Sequence, residues 1–229
     1  MDQTFWRAVG ADLWPALQGA GFTSGLRDRV WREKLDRRDV IQIVPIRLGA
    51  LYPELRRAMG CAIEVGVVFR AIPSLPGPEG DEESPGTPAC HIRSRLDRID
   101  SERLRMADIW HVGSNHSNLS LVIAEMQRLL LSEGLAWFER FASAHDVLHL
   151  MLHENTAEVV MGSGRMGSPV RNYVAGFLAL SLGEYDHAEQ YLGAAQEQWD
   201  DVPSVHRTIT DALDRIRPDS SLRKNTSLP

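Results

Sequence analysis

Three histidines, His145, His149 and His153, follow one another at four-residue steps, the spacing that lines side chains along one helix face. Neutral imidazoles so placed can share a divalent metal, but zinc normally draws a third or fourth ligand from another element. Glu154, or the pair His111 and His116, stands in sequence as that source. The row also falls at the border of the face carrying Phe141 and Leu148, where amphipathic side chains are common. The expectation is therefore a partly buried seam of hydrogen-bonded histidines, with no metal and no cofactor assigned. His111 and His116 enclose Ser114 and Asn115 in a polar loop of the kind that can rim a site.

A second constellation is basic. His91, Arg93 and Arg95 alternate with Cys90, Ile92, Ser94 and Leu96, so they share one face of a strand, with Arg70 beside them if the strands are neighbours. Donors about 7 Å apart on one face can engage phosphates, carboxylates or an acidic protein surface. The same pattern also suits a solvated sheet face neutralised by Glu64 and Asp97. Gly162, Gly164 and Gly167 spell the glycine pattern of a dinucleotide loop, with an expected strand from Ala157 to Met161 before them. A helix instead of a second parallel strand follows Gly183, and no acidic residue is placed to hold a ribose, so a turn is expected there. Cys61 and Cys90 fall on the apolar side of their strands, where a thiol stays protonated, and no Ser-centred nucleophile elbow is present. No catalytic residue is assigned.

These residues need elements to position them. Phe5, Val9, Leu13 and Leu17 predict a helix over Thr4 to Ala20, kinked or broken and restarted at Pro15 and left through Gly19, Gly21 and Gly25. Val40 to Leu48 is a β-branched run in which Pro45 predicts an unpaired or bulged edge. Cys61 to Phe69 and Cys90 to Leu96 alternate with the period of half-buried strands, and Ile109 to Val112 supplies another. After Ser117 the pattern is helical. The stripe Leu119, Val122, Ile123, Met126, Leu129 and Leu130 is broken at Gly134 and continues on a second helix through Trp137, Phe138, Phe141, Leu148 and Leu152. Ser168 as N-cap and Pro169 open a helix to Leu182; Tyr185 to Trp199 and Val205 to Ile216 follow it.

Composition sets the outer limits. At 229 residues, 43% hydrophobic and 24% charged, the chain has the make-up of a globular protein, and two cysteines are too few for a disulfide framework. No apolar run reaches a membrane span, and acidic Asp2 precedes Phe5 and Trp6 where a signal peptide needs basic residues, so a cytoplasmic location is expected. The net charge of -6 comes wholly from the half after Trp110, with 9 basic and 15 acidic residues against 16 and 16 before it. That distribution argues against nucleic acid and leaves any anion-binding face in the first half. Residues 73–88 hold five prolines, three glycines and Glu79, Asp81, Glu82 and Glu83, which reads as a mobile acidic loop.

Leu13, Pro15, Leu17, Gly21 and Phe22, then Gly25 and Val30, Trp31, Arg32, resemble the opening of a bacterial family called domain of unknown function 4304. The segment Cys90 to Leu96 and the residues Gly134, Leu135, Trp137 and Phe138 look like its closing strand and helix. The resemblance covers about Met1 to His149 and implies a small α+β domain with no established activity. Gly176, Gly183, Tyr185, Ala188, Leu192 and Ala195 are similar to one tetratricopeptide repeat, whose small residues sit where two antiparallel helices touch.

The chain is thus expected to be an α+β protein. A mostly antiparallel sheet packed with helices fills residues 1–155, a C-terminal helical hairpin extension fills 168–217, and a disordered tail fills 218–229. The expected role is a non-catalytic bacterial interaction or regulatory module, immunity-like in kind, that meets a protein partner or a second copy through the sheet face or the last helices. The alternative is a metal- or ligand-binding enzyme using the histidine-rich loop and helix.

Overall fold

The computed structural model describes residues 1–47, 59–74, 86–96, 109–113, 115–153 and 168–223. The chain opens with α1 (Gln3–Ala8), a π-helical turn (Val9–Leu13) and α2 (Trp14–Gln18). Asp2 caps α1, its Oδ1 accepting the Phe5 N–H at 3.1 Å. Pro15 sits in the first turn of α2, directly after the π turn, whose wider register accommodates the donor that proline removes from a continuous helix. Phe5, Val9, Leu13 and Leu17 are all fully buried, as their spacing requires. Gly21 leaves the helix at φ +89°.

Six antiparallel strands follow: β1 (Ser24–Gly25), β2 (Arg29–Glu33), β3 (Arg37–Ile46), β4 (Met59–Phe69), β5 (Ile92–Arg95) and β6 (Trp110–Val112). They are ordered β1-β2-β3-β4-β5, and β6 also pairs with β4. β4 is long enough for two partners on one edge, β5 against Glu64 to Val67 and β6 against Met59 to Cys61. Pro45 lies near the end of β3, opposite Cys61. The Ile43 N–H points toward β2, to Asp28 O, and position 45 points the same way, beyond the start of β2. The absent proline donor therefore faces an edge with no β2 ladder, as expected of a strand proline.

The odd-numbered residues of β4, Cys61, Ile63, Val65, Val67 and Phe69, form the inner face with Ile41, Ile43, Ile92, Trp110 and Val112. Helices cover it: α3 (Leu119–Leu129), a second π turn (Leu130–Gly134) and α4 (Leu135–Glu139). Gly134 does not break this helix as its composition suggested. It is buried, and a Cβ there would stand 3.2 Å from both Leu96 Cδ1 and Leu130 Cδ2, so glycine serves close packing. The break falls at Ser143, whose Oγ accepts the Asp146 N–H at 3.1 Å and starts α5 (Ala144–His153).

The extension comprises α6 (Pro169–Ser181), α7 (Tyr185–Gln198) and α8 (Pro203–Arg223). Ser168 caps α6 as expected, with Pro169 in its first turn, and Gly183 turns the chain at φ +77°. α8 continues past the expected end at Ile216, through Pro218 to Arg223. α6 is buried on most sides. Arg171 donates to Met151 O at 2.7 Å, neutralising the carbonyl end of α5, and Tyr173 Oη donates to Pro73 O at 3.2 Å. The hairpin thus packs against the sheet domain of its own chain, and their buried residues form one continuous core. None of the described helices is long and apolar enough to cross a membrane.

Candidate functional site

The outer face of the sheet carries Arg29 of β2, Gln42 of β3, Glu64 and Gly66 of β4, and Arg93 and Arg95 of β5, by the register Arg29↔Gln42, Gln42↔Glu64, Glu64↔Arg95 and Gly66↔Arg93. A short 3-10 turn, Thr87–Ala89, lies across this face. Gly66 is required beneath it, because a Cβ there would stand 2.5 Å from Cys90 Sγ. Gly86 is similarly hemmed in by Arg29 Nη1 and Gln42 Oε1.

A continuous polar chain crosses the face. Arg29 pairs with Asp28, Gln42 Nε2 donates to Asp28 Oδ2 at 3.0 Å, and Gln42 Oε1 accepts the Thr87 N–H at 2.8 Å. The Thr87 hydroxyl, fully buried, donates to Glu64 Oε2 at 2.5 Å, and Arg95 Nε reaches Glu64 Oε1 at 3.0 Å. Here residues 86–88 depart from the expected mobile acidic loop. Thr87 is held by hydrogen bonds that a buried hydroxyl needs, while residues 75–85 of that loop lie outside the described residues.

Beside this chain opens a cavity of about 390 Å³ lined by Gln42, Val44, Glu64, Pro88, Arg93, Ser94 and Arg95. Arg93 is half-buried on its wall and has no ion pair or side-chain hydrogen bond among the described residues. Glu64, by contrast, is already engaged by Arg95 and Thr87. Of the two arginines among the described residues that line the cavity, Arg93 is the one left open to a ligand.

The expected stripe is corrected at two places. His91 is 1% exposed, lying before β5 begins, where its backbone donates to Val67 O and its Nδ1 accepts the Phe69 N–H at 3.0 Å. Burial pushes its pKa down to about 4, against a smaller upward effect of the Pro73 carbonyl, so the ring is neutral and structural. Arg70 follows the last residue of β4, four residues from Gly66, the partner of Arg93, and so roughly 13 Å away at strand spacing. It pairs with Glu33 at 2.9 Å by the β2–β3 turn.

The remaining candidates stay apart. His145, His149 and His153 are exposed on α5, not a buried seam, because α5 buries Val147, Leu148 and Met151 on its opposite side. The rings of His149 and His153 stack at 4.3 Å, and His153 Nδ1 turns back to His149 O. His111 lies on β6, half-buried. His116 takes φ +59° and sets Nε2 at 2.8 Å from Asp2 Oδ2. The Asp2 carboxyl is held below its usual range, first by the Phe5 N–H and less by His116. Asn118 ties this loop together, accepting from Gly113 N–H and donating to His111 O. Among the described residues no three His, Cys, Asp or Glu side chains gather to hold a metal. Ser114, Glu154 and the glycines 162, 164 and 167 lie outside the described residues.

Cys61 and Cys90 are both buried, and neither is in a disulfide. Burial pushes the Cys61 thiol up to about 12 and Cys90 higher still, so neither supplies a thiolate. Sequence reasoning missed one polar group altogether. Asp39, fully buried on the inner face, lies 2.7 Å from Arg32 Nε and 2.9 Å from Arg37 Nε. Arg37 also donates to Phe138 O at 3.1 Å, and the Arg32 guanidinium packs over the Phe22 ring at 4.9 Å. Arg32 Nη2 also reaches Glu139 Oε1 at 3.4 Å, so the triad pins the sheet to the end of α4. The available signal was the charged run Arg37, Arg38, Asp39 leading into the apolar β3.

No family model, curated protein or solved structure matches the chain.

Proposed function

We propose that the protein is a non-catalytic interaction module that binds an acidic surface of a partner protein through the outer face of its sheet, around Arg93. The observation that carries this reading is the half-buried Arg93 guanidinium on a cavity wall with no carboxylate set against it among the described residues. An arginine fork held in place by a strand is suited to carboxylate recognition, since its planar donors match both carboxylate oxygens. Val44 and Pro88 give the cavity apolar walls against which an acidic side chain lays its methylenes. The polar groups around it are already satisfied by one another, which favours a rigid binding surface over a site that moves protons. A regulatory or immunity-like role is compatible with such a module, as is the resemblance to domain of unknown function 4304.

The test compares capture of native partners by the wild-type protein and by Arg93→Ala, at low and at physiological salt. The variant should keep the wild-type melting temperature and lose the partners. Wild-type capture should weaken as salt rises, because surface charges are screened over about 8 Å at physiological ionic strength. A folded Arg93→Ala protein that retains every partner would sink the reading.

A further inference from the structure

Arg93 is also an edge residue of the sheet. The Leu96 N–H donates to Ile63 O at 3.0 Å, and the register sets Ser94 opposite Val65. In an antiparallel pair successive residues turn their peptide groups to alternate sides. Ser94 therefore faces β4, and the N–H and C=O of Arg93 face outward. Among the described residues no strand pairs with that outward edge of β5. One residue thus offers a main-chain donor and acceptor to one side and an open guanidinium on the adjoining face.

The geometry points to an extended acidic segment of a partner protein as the occupant, adding as a short strand beside β5 with its main chain on Arg93 and a carboxylate on the Arg93 guanidinium. This rests on the reading of the face as a partner site and adds the conformation and charge of what is bound. A strand laid against Arg93 sets its cross-strand side chain about 5 Å away on the same face, which is the cavity side. Main-chain pairing provides the attachment and the cavity selects the side chain. The charge favours glutamate or aspartate there, because Glu64 is already occupied by Arg95 and Thr87. It also argues against a second copy of this chain. Two β5 edges paired antiparallel would bring arginines 93 and 95 of one copy against those of the other, a like-charge contact that edge strands use to prevent self-pairing.

The experiment selects binders of the full-length protein from a displayed library of random heptapeptides and synthesises the most enriched sequence. It then measures that peptide's affinity, the affinity of versions N-methylated at each residue in turn, and hydrogen exchange at the Arg93 amide. The expected result is an acidic consensus and alternating N-methyl positions that weaken binding tenfold or more. Slowed exchange at Arg93 and a comparable loss with Arg93→Ala should accompany it, with Arg93→Lys weakening binding less. A consensus without acidic residues overturns the inference. So does an acidic peptide that tolerates N-methylation throughout and leaves Arg93 exchange unchanged. In that last case, partner capture that is still lost in Arg93→Ala leaves the acidic-partner reading standing while the strand-addition inference falls.

Discussion

Gly66 lies directly beneath Cys90: a β-carbon at position 66 would stand 2.5 Å from Cys90 Sγ and 2.7 Å from its Cβ. That contact seats the Thr87–Ala89 turn on the sheet, and through Thr87 it fixes Glu64 and Arg95 on the rim of the cavity. Gly66→Ala should therefore destabilise the protein by about 1 to 3 kcal/mol through overpacking. Cys90→Ala should not rescue it, since the Cβ contact remains. Chemical denaturation of Gly66→Ala, Cys90→Ala and the double variant checks this, and a Gly66→Ala protein as stable as wild type would mean that the turn lifts away at no cost.

The burial of His91 makes stability depend on pH. Its pKa is about 4 when folded and about 6.5 when unfolded. Above pH 6.5 the ring is neutral in both states. As pH falls toward 4 the unfolded chain takes up a proton that the folded one refuses, so stability is lost across that window, by about 3 kcal/mol in total. The interval from pH 6.5 to 5 lies above the usual carboxylate range, and comparison with His91→Gln separates this ring from the other histidines. Wild type should lose stability there more steeply than His91→Gln; equal slopes would assign the pH dependence to other groups.

Much of the fold was legible because periodicity reports burial. The four-residue steps from Phe5 to Leu17, the odd positions of Cys61 to Phe69 and the cap at Ser168 stand where their spacing put them. His91 was misplaced because alternation assumes a strand, and the strand begins one residue later, at Ile92. His145, His149 and His153 were placed at a border when the helix had an apolar side of its own to bury; a rotation of the helix decides between seam and surface, and spacing leaves that rotation open. The inner-face triad was illegible because Arg32 and Asp39 look like surface charges in sequence. Only the β2–β3 register, which pairs them, brings them together. The cavity depends on a turn some twenty residues from its floor, a contact that no local pattern encodes.

The two arginines of the outer face should separate on substitution. Sequence alternation treats Arg93 and Arg95 alike, as two donors on one face. In the structure Arg95 covers Glu64, which is 9% exposed and has Thr87 as its other partner. Arg95→Ala should cost about 1 to 3 kcal/mol, because the carboxylate loses a charged hydrogen bond while still largely out of water. Arg93→Ala should stay within about 0.5 kcal/mol of wild type. Adding Glu64→Gln to Arg95→Ala should recover part of the loss. Equal melting temperatures for the two arginine variants would mean that Glu64 is solvated without its partner.

The extension stands or falls on the contact between α6 and α7. A β-carbon at Gly176 would lie 2.6 Å from Leu192 Cγ and 3.0 Å from Leu192 N, so part of the obstruction is backbone, which cannot rotate aside. Ala188, Leu192 and Ala195 on the facing helix are fully buried. Gly176→Ala forces the helices apart, and despite the better helix propensity of alanine, worth about 1 kcal/mol, the net effect should be destabilising. Ala188→Leu should cost about 1 to 3 kcal/mol for the same reason. Because Arg171 of α6 holds the Met151 carbonyl and Tyr173 the Pro73 carbonyl, separation of α6 and α7 should also loosen the sheet domain. A single cooperative transition, lowered in both variants and seen equally by far-ultraviolet circular dichroism and tryptophan fluorescence, is the expected outcome. Loss of helix signal ahead of fluorescence would show the extension melting on its own, against a shared core.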